Sequence, residues 1–391
     1  MSSPHQFSLL LGGPLYQIWR RGRLCGTELE WVRRRVTASI LIGWLPLLVL
    51  SVADGRLLRG VSSLPFLYDI ETNVRLLIAV PLLLIAELVV NQRLRGVVSQ
   101  FSSRNLIPPA REVEFDAAID SAMRLRDSVV AEICLLAVVY AVGVALLWHR
   151  HVVFDTDGWY GTMRNGAWQP SAAGWWFICV SMPLFQFLLL RWYYRLFIWA
   201  RFLWQVSRIE LQLIPTHPDR FGGLGFLAAV GYSFSMLLVA QGTVLAGIIA
   251  NRIFFAGAKL IDFKADLVAL VAVLVAAVLG PLVVFSQQMS GAKRRGLGEY
   301  GILSQKYVHD FDEKWVRGRG RAAEPLLGNA DVQSLADLGS SFEVITHMRW
   351  VPFTLNTVVQ LAVTTIAPAM PLILTTISVR ELLDRLLKVV L

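Results

Sequence analysis

Four charged residues interrupt otherwise apolar runs: Glu87 in "LLLIAELVV", Glu132 in "SVVAEICLL", and Arg191 and Arg195 in "LLLRWYYRLFIW". A charge placed at the centre of a bilayer costs about 2.5–3.5 kcal/mol on insertion scales, so such residues face the helix bundle and find partners there. Carboxylates and guanidiniums gathered at one depth suit an ion or a small solute, an anion included. The same groups also suit ion pairs that merely fix helix register.

A second group sits in "IPTHPDRFGGLGFL", residues 214–227, which sets His217, Asp219 and Arg220 among two prolines and three glycines. Its "GLGFLA" matches a dinucleotide fingerprint, but that pattern has force only between a strand and a helix of a βαβ unit. Long apolar segments flank it here. His217-Pro218-Asp219 is also the tripeptide of J-domain co-chaperones, which need a compact soluble helix pair that these flanks exclude. Zinc needs three or four convergent donors, and no pair with tight ligand spacing joins His217 and Asp219. His149, His151, Asp155 and Asp157 read as a hydrated loop on the same test. No metal or cofactor is expected. Turn chemistry accounts for most of the stretch. Pro215 and Pro218 stop a helix, Asp219 caps the next, and the glycines permit a tight turn. It accounts less well for His217 and Arg220.

A third signal is a polar stripe. Thr357, Gln360, Thr364, Pro368, Pro371, Thr375 and Ser378 recur at spacings of three and four, on one side of a helix. Such a stripe lines a watery path or packs against a neighbour through small and hydroxyl residues. The prolines would kink this helix, as in the discontinuous helices of transporters. Gly231 with Ser235, and Gly242 with Ala246, offer packing faces on another segment.

The elements that must position these residues are membrane helices. The 391-residue chain is 55% hydrophobic and 17% charged, with 13 Trp and 20 Phe, and its mean hydropathy is +0.55. Soluble domains are less apolar and carry about a quarter charged residues. Seven segments approach the roughly 20 residues that span a bilayer: 36–53, 75–91, 129–148, 173–198, 225–249, 265–286 and 351–378. Arginine and lysine concentrate before the first, between the second and third, and after the fourth and sixth. By the positive-inside rule this predicts a cytoplasmic N-terminus. The formal charge of +9 therefore marks one membrane face, and nucleic-acid binding is not expected. Cys25, Cys134 and Cys179 are too scattered for a disulfide framework. The N-terminal stretch has its basic residues after a short apolar run, the reverse of a secretory signal.

The expected fold is all-α: a polytopic membrane helix bundle of about seven transmembrane helices with a small helical cytoplasmic layer. Residues 1–35 form a basic N-terminus and 36–286 a six-span bundle, with helical extensions over about 96–128 and 199–224. The third span reads as one helix over 111–148, and the fourth as one helix up to Pro215. Residues 287–350 form a cytoplasmic helical loop, 351–378 a proline-kinked seventh span, and 379–391 an amphipathic helix suited to the interface. "HVVFDTDGWYG" reads as a hairpin turning at Asp157-Gly158.

"PTHPDRFGGLGFL" (215–227) and "DVQSLADLGSSFEVITHMRWVPF" (331–353) resemble signature stretches of an uncharacterised family of bacterial multi-pass membrane proteins. The resemblance implies a bacterial inner-membrane home and brings no catalytic residues with it. The expected function is a channel or carrier for an ion or small solute, with Glu87, Glu132, Arg191, Arg195, His217, Asp219 and Arg220 at its cytoplasmic mouth. Thr357, Gln360, Thr364 and Thr375 would line its path. The alternative is a non-transporting scaffold or sensor that docks a cytoplasmic protein on 287–350. An enzyme ranks last, because no nucleophile–base pair emerges. The expected partners are the lipid bilayer, a small solute or ion and a cytoplasmic protein; oligomer formation is left open.

Overall fold

The computed structural model describes residues 7–9, 12, 32–58, 64–149, 158–164, 167–318, 326 and 328–375, of which 142–149, 163–164 and 167–168 are described as backbone only. Its rods are α1 (Val32–Ala53), α2 (Ile70–Ser103), α3 (Glu112–Arg126), α4 (Val129–His149), α5 (Ala172–Val206), α6 (Gly225–Ala256), α7 (Leu260–Val316), α8 (Ala330–Thr346) and α9 (Leu355–Thr375). One small hairpin, β1 (Gly161–Arg164) and β2 (Ala167–Pro170), joins α4 to α5. Among the described residues, α1, α2, α5, α6, α7 and α9 are long and apolar enough to cross a bilayer. The described side chains of α4 form a shorter apolar helix, Val129–Ala141.

Proline shapes these rods. A proline removes one i→i−4 bond, and in a membrane the freed carbonyl must find another donor. Pro46 frees the carbonyl of Ile42, which accepts from Trp176 Nε1 at 3.0 Å. Pro183 frees that of Cys179, which accepts from the Tyr140 hydroxyl at 3.3 Å. Just before Pro81 and Pro183 the helices widen into π segments, Arg75–Ala79 and Phe177–Ser181, the local adjustment expected at such sites. In the second of these, Ser181 Oγ donates to the carbonyl of Gly43 at 2.6 Å. Pro281, Pro368 and Pro371 lie in the 3₁₀ stretches Gly280–Phe285 of α7 and Ala367–Thr375 of α9.

The rods pack so that Arg35, Glu87, Glu132, Arg191 and Arg195 meet near one end of the bundle, called here the basic end. An aromatic core closes that end: Phe101 meets Phe115, Phe226 and Phe285 at 5.8, 5.1 and 6.4 Å between ring centroids. At the opposite end the buried carboxylate of Asp69 accepts four hydrogen bonds, from the Thr72 N–H (3.2 Å) and hydroxyl (2.6 Å), Trp159 Nε1 (3.0 Å) and Asn251 Nδ2 (2.7 Å). These saturate its lone pairs and tie α2, the loop before β1 and α6 together.

Several expectations change. Helix α5 ends at Val206, nine residues before Pro215. The amide side chain of Gln288 on α7 donates to the carbonyls of Ser207 and Ile209, both at 2.7 Å, and captures the end of the helix. The helix expected over 111–148 breaks at Asp127-Ser128, where Ser128 Oγ accepts from the N–H of Ala131 at 3.2 Å. The sixth expected span and the first part of the 287–350 loop form one rod, α7, of 57 residues, about 85 Å at 1.5 Å per residue. Its far part packs against α8. The hairpin pairs Gly161 with Pro170 and Arg164 with Ala167, so it lies beyond the expected turn at Asp157-Gly158. Residues 376–378 of the last span, the helix expected at 379–391, Asp157 and the histidine and aspartate group at 149–157 lie outside the described residues or their described side chains.

Candidate functional site

Helix periodicity builds the cluster. Glu87 and Asn91 are four apart on α2, and Arg191, Arg195 and Trp199 are four apart on α5; all five are buried. Residues at this spacing share one face of a helix. Glu87 Oε1 lies 2.8 Å from Arg195 Nη1, and Glu87 Oε2 takes a short ion pair from Arg35 Nη1. Arg191 is held more loosely. Its Nη1 is 3.5 Å from Glu87 and its Nη2 is 3.4 Å from Glu132, beyond the 2.7–2.9 Å typical of a charge-assisted hydrogen bond. The guanidinium of Arg195 also lies over the Trp192 ring, 5.1 Å from its centroid. Among the described residues, three guanidiniums meet two carboxylates here, a formal surplus of one positive charge.

Arg35 is the member that the charged-residue pattern missed, since it stands in a basic run at the start of the first span. The signal was there in another form. On α1 the buried residues are Arg35, Ser39, Gly43, Leu47 and Ser51, a strict spacing of four, while Arg33 and Arg34 are exposed. Asp69, beyond the reach of any span, gave no such signal.

The 214–227 stretch is a separate feature. Asp219 accepts from the backbone N–H groups of Phe221 (2.7 Å), Gly223 (3.2 Å) and Gly225 (2.9 Å), so its carboxylate organises the turn into α6. His217 Nδ1 accepts from the N–H of Asp219 at 3.2 Å. Arg220 has an exposed side chain and a left-handed backbone, φ 60°, and its carbonyl accepts from the N–H of Arg349 at 2.9 Å. Among the described residues, none of these three pairs with Glu87, Glu132, Arg191 or Arg195. The expected single mouth is therefore two features.

The polar stripe on α9 divides likewise. Thr357 is buried, and a methyl on Gly231 would touch it at 3.4 Å. Gly242 approaches α9 so closely that a methyl there would lie 1.9 Å from the carbonyl oxygen of Thr365. Gln360 and Thr375 are exposed and Thr364 is half-buried, donating to the Gln360 carbonyl at 2.7 Å. This is a packing seam with an outward edge. Two grooves open on the sides of the bundle, both mostly apolar. One, of about 370 Å³, is lined by Glu132, Leu136, Cys179, Pro183 and Phe187 among others. The other, of about 480 Å³, runs between Val74, Thr243, Gly247, Pro368 and Leu372. Thr357, Gln360, Thr364 and Thr375 line neither. Among the described residues no group of three His, Cys, Asp or Glu side chains converges as a metal site.

Among the described residues, six apolar helices of spanning length define a multi-pass helical membrane protein, and the buried ionic cluster ties three of them, α1, α2 and α5, to α4. No protein-family model, curated protein or solved structure matches the chain, so this class carries no borrowed function.

Proposed function

We propose that the protein is a seven-span carrier of a small anion, with the basic end in the cytoplasm of a bacterial inner membrane and Arg191 as the binding residue. One observation carries this reading: among the described residues the cluster holds three guanidiniums for two carboxylates, and the loosely held member is Arg191. Glu87 is engaged at short range by Arg35 and Arg195, whereas both contacts of Arg191 are 3.4 Å or longer. A buried charge without full compensation is costly, and an arriving anion would offset it. Alternation of basic loops supports the orientation.

The test is sulfate and chloride flux into sealed liposomes carrying the purified protein. Arg191→Gln is expected to abolish flux and Arg220→Ala to leave it intact, because Arg220 stands apart from the cluster. Equal flux in the parent and Arg191→Gln would overturn the assignment. A second reading, a scaffold, is favoured by the charged far part of α7, where Ile302, Leu303 and Val308 are exposed, and by α8, where Val332 is exposed. It predicts no flux at all, with loss of a bound cytoplasmic protein when 298–346 is removed.

A further inference from the structure

Residues 7–9 are far in sequence from the helices they touch, yet all three are buried. Phe7 is wholly inaccessible, 5.0 Å from the Phe202 ring and 6.2 Å edge-on to Trp199. Ser8 Oγ donates to Asn91 Oδ1 at 2.5 Å. The carbonyl of Ser8 accepts from Arg126 Nη1 at 2.7 Å. The short segment thus occupies a socket between α2, α3 and α5.

The position of that socket gives it meaning. Asn91 is one turn beyond Glu87 on α2, and Trp199 is one turn beyond Arg195 on α5, both toward the basic end. Phe7–Leu9 therefore lies over the cluster on the side facing that end. The socket also holds a buried donor with no acceptor: Trp199 Nε1 has no hydrogen-bond partner among the described residues. An unsatisfied buried N–H is costly, and departure of Phe7 would give it water. The latch, Arg126, closes α3 immediately before the break at Asp127-Ser128, and Glu132 of the cluster follows on the next turn of α4.

We propose that Phe7–Leu9 is a plug that shields the ionic cluster from water at the basic end, latched by Arg126 through the Ser8 carbonyl. Its functional sense, a gate on anion entry, rests on the carrier reading; its structural sense rests on the contacts alone. The test uses full-length protein lacking its native cysteines, with a single reporter thiol, Asn91→Cys, in the socket. Modification by a membrane-impermeant cationic methanethiosulfonate is timed in liposomes whose basic end faces the reagent. Phe7→Ala and, separately, Arg126→Gln are expected to speed modification at least tenfold, and Arg126→Lys to restore slow labelling. A reporter at Ser51→Cys, buried near the other end, stays protected in a folded variant and shows which variant to read. Equal rates with and without Phe7 and Arg126 would overturn the plug. Sulfate flux in the same variants separates the two ideas. Faster labelling with flux unchanged sinks the carrier and keeps the plug, whereas unchanged labelling sinks the plug whatever the flux.

Discussion

Glu87→Gln is the most informative single perturbation of this molecule. Glutamine keeps the volume and removes the charge to which Arg35 and Arg195 donate. A hydrogen bond to a charged group contributes about 1.5–3 kcal/mol, so loss of two puts the cost at about 3–6 kcal/mol. Removing one partner from a buried pair independently suggests about 3–5 kcal/mol, since the other charges remain buried and uncompensated. Set against a total stability of about 5–15 kcal/mol, this is a large share. The assay is equilibrium unfolding in mixed micelles, followed by circular dichroism. Glu132→Gln is the internal comparison. Its ion pair with Arg191 is 3.4 Å long, against 2.8 Å for Glu87 with Arg195, so its cost should be the smaller of the two. Glu87→Met combined with Arg35→Met should recover part of the loss, because both signs leave together. If Glu87→Gln unfolds within about 0.5 kcal/mol of the parent, the range of an indifferent surface change, the cluster is not the clasp described above.

Other outcomes follow from the same geometry. Gly242→Ala should destabilise by about 1–3 kcal/mol or more and loosen α9, because its methyl meets backbone rather than a yielding side chain; cross-linking between α6 and α9 would report it. Asp69→Ala strands the donors of Thr72, Trp159 and Asn251, each worth about 1–3 kcal/mol when left unsatisfied. Trp159 fluorescence should then shift toward that of a hydrated indole. Arg220→Gly relieves a left-handed residue and should leave stability unchanged or raise it by about 0.5–1 kcal/mol. On α8, which is not among the helices apolar enough to span, Asp331 is held below the usual aspartate range by hydrogen bonds from Lys314 Nζ and Trp315 Nε1. The sign is that of a depressed acid: its support for the α7–α8 pairing is present above the ordinary aspartate value and is lost as pH falls through the lowered one. Hydrogen exchange at the far end of α8 should rise in that acid window, and Asp331→Asn should show the faster exchange already at neutral pH.

The sequence alone determined that this is a helical membrane protein and which charges inside the spans needed partners. Hydropathy, helical periodicity and the cost of a lone charge in lipid are local rules, and Glu87, Glu132, Arg191 and Arg195 obey them without reference to the rest of the chain. Small residues at Gly231 and Gly242 likewise announced close helix contacts before any partner was known. Tertiary structure decided the rest. Only packing could select Arg35 from three consecutive arginines, because burial depends on which face of α1 meets α2. Only packing could end α5 at Val206, since the donor that captures its last carbonyls is Gln288, 81 residues from Ser207. It also separated Asp219 from the charged cluster and set Phe7 beside Asn91 and Trp199. These are encounters between distant parts of the chain, and no local pattern encodes the distance between them.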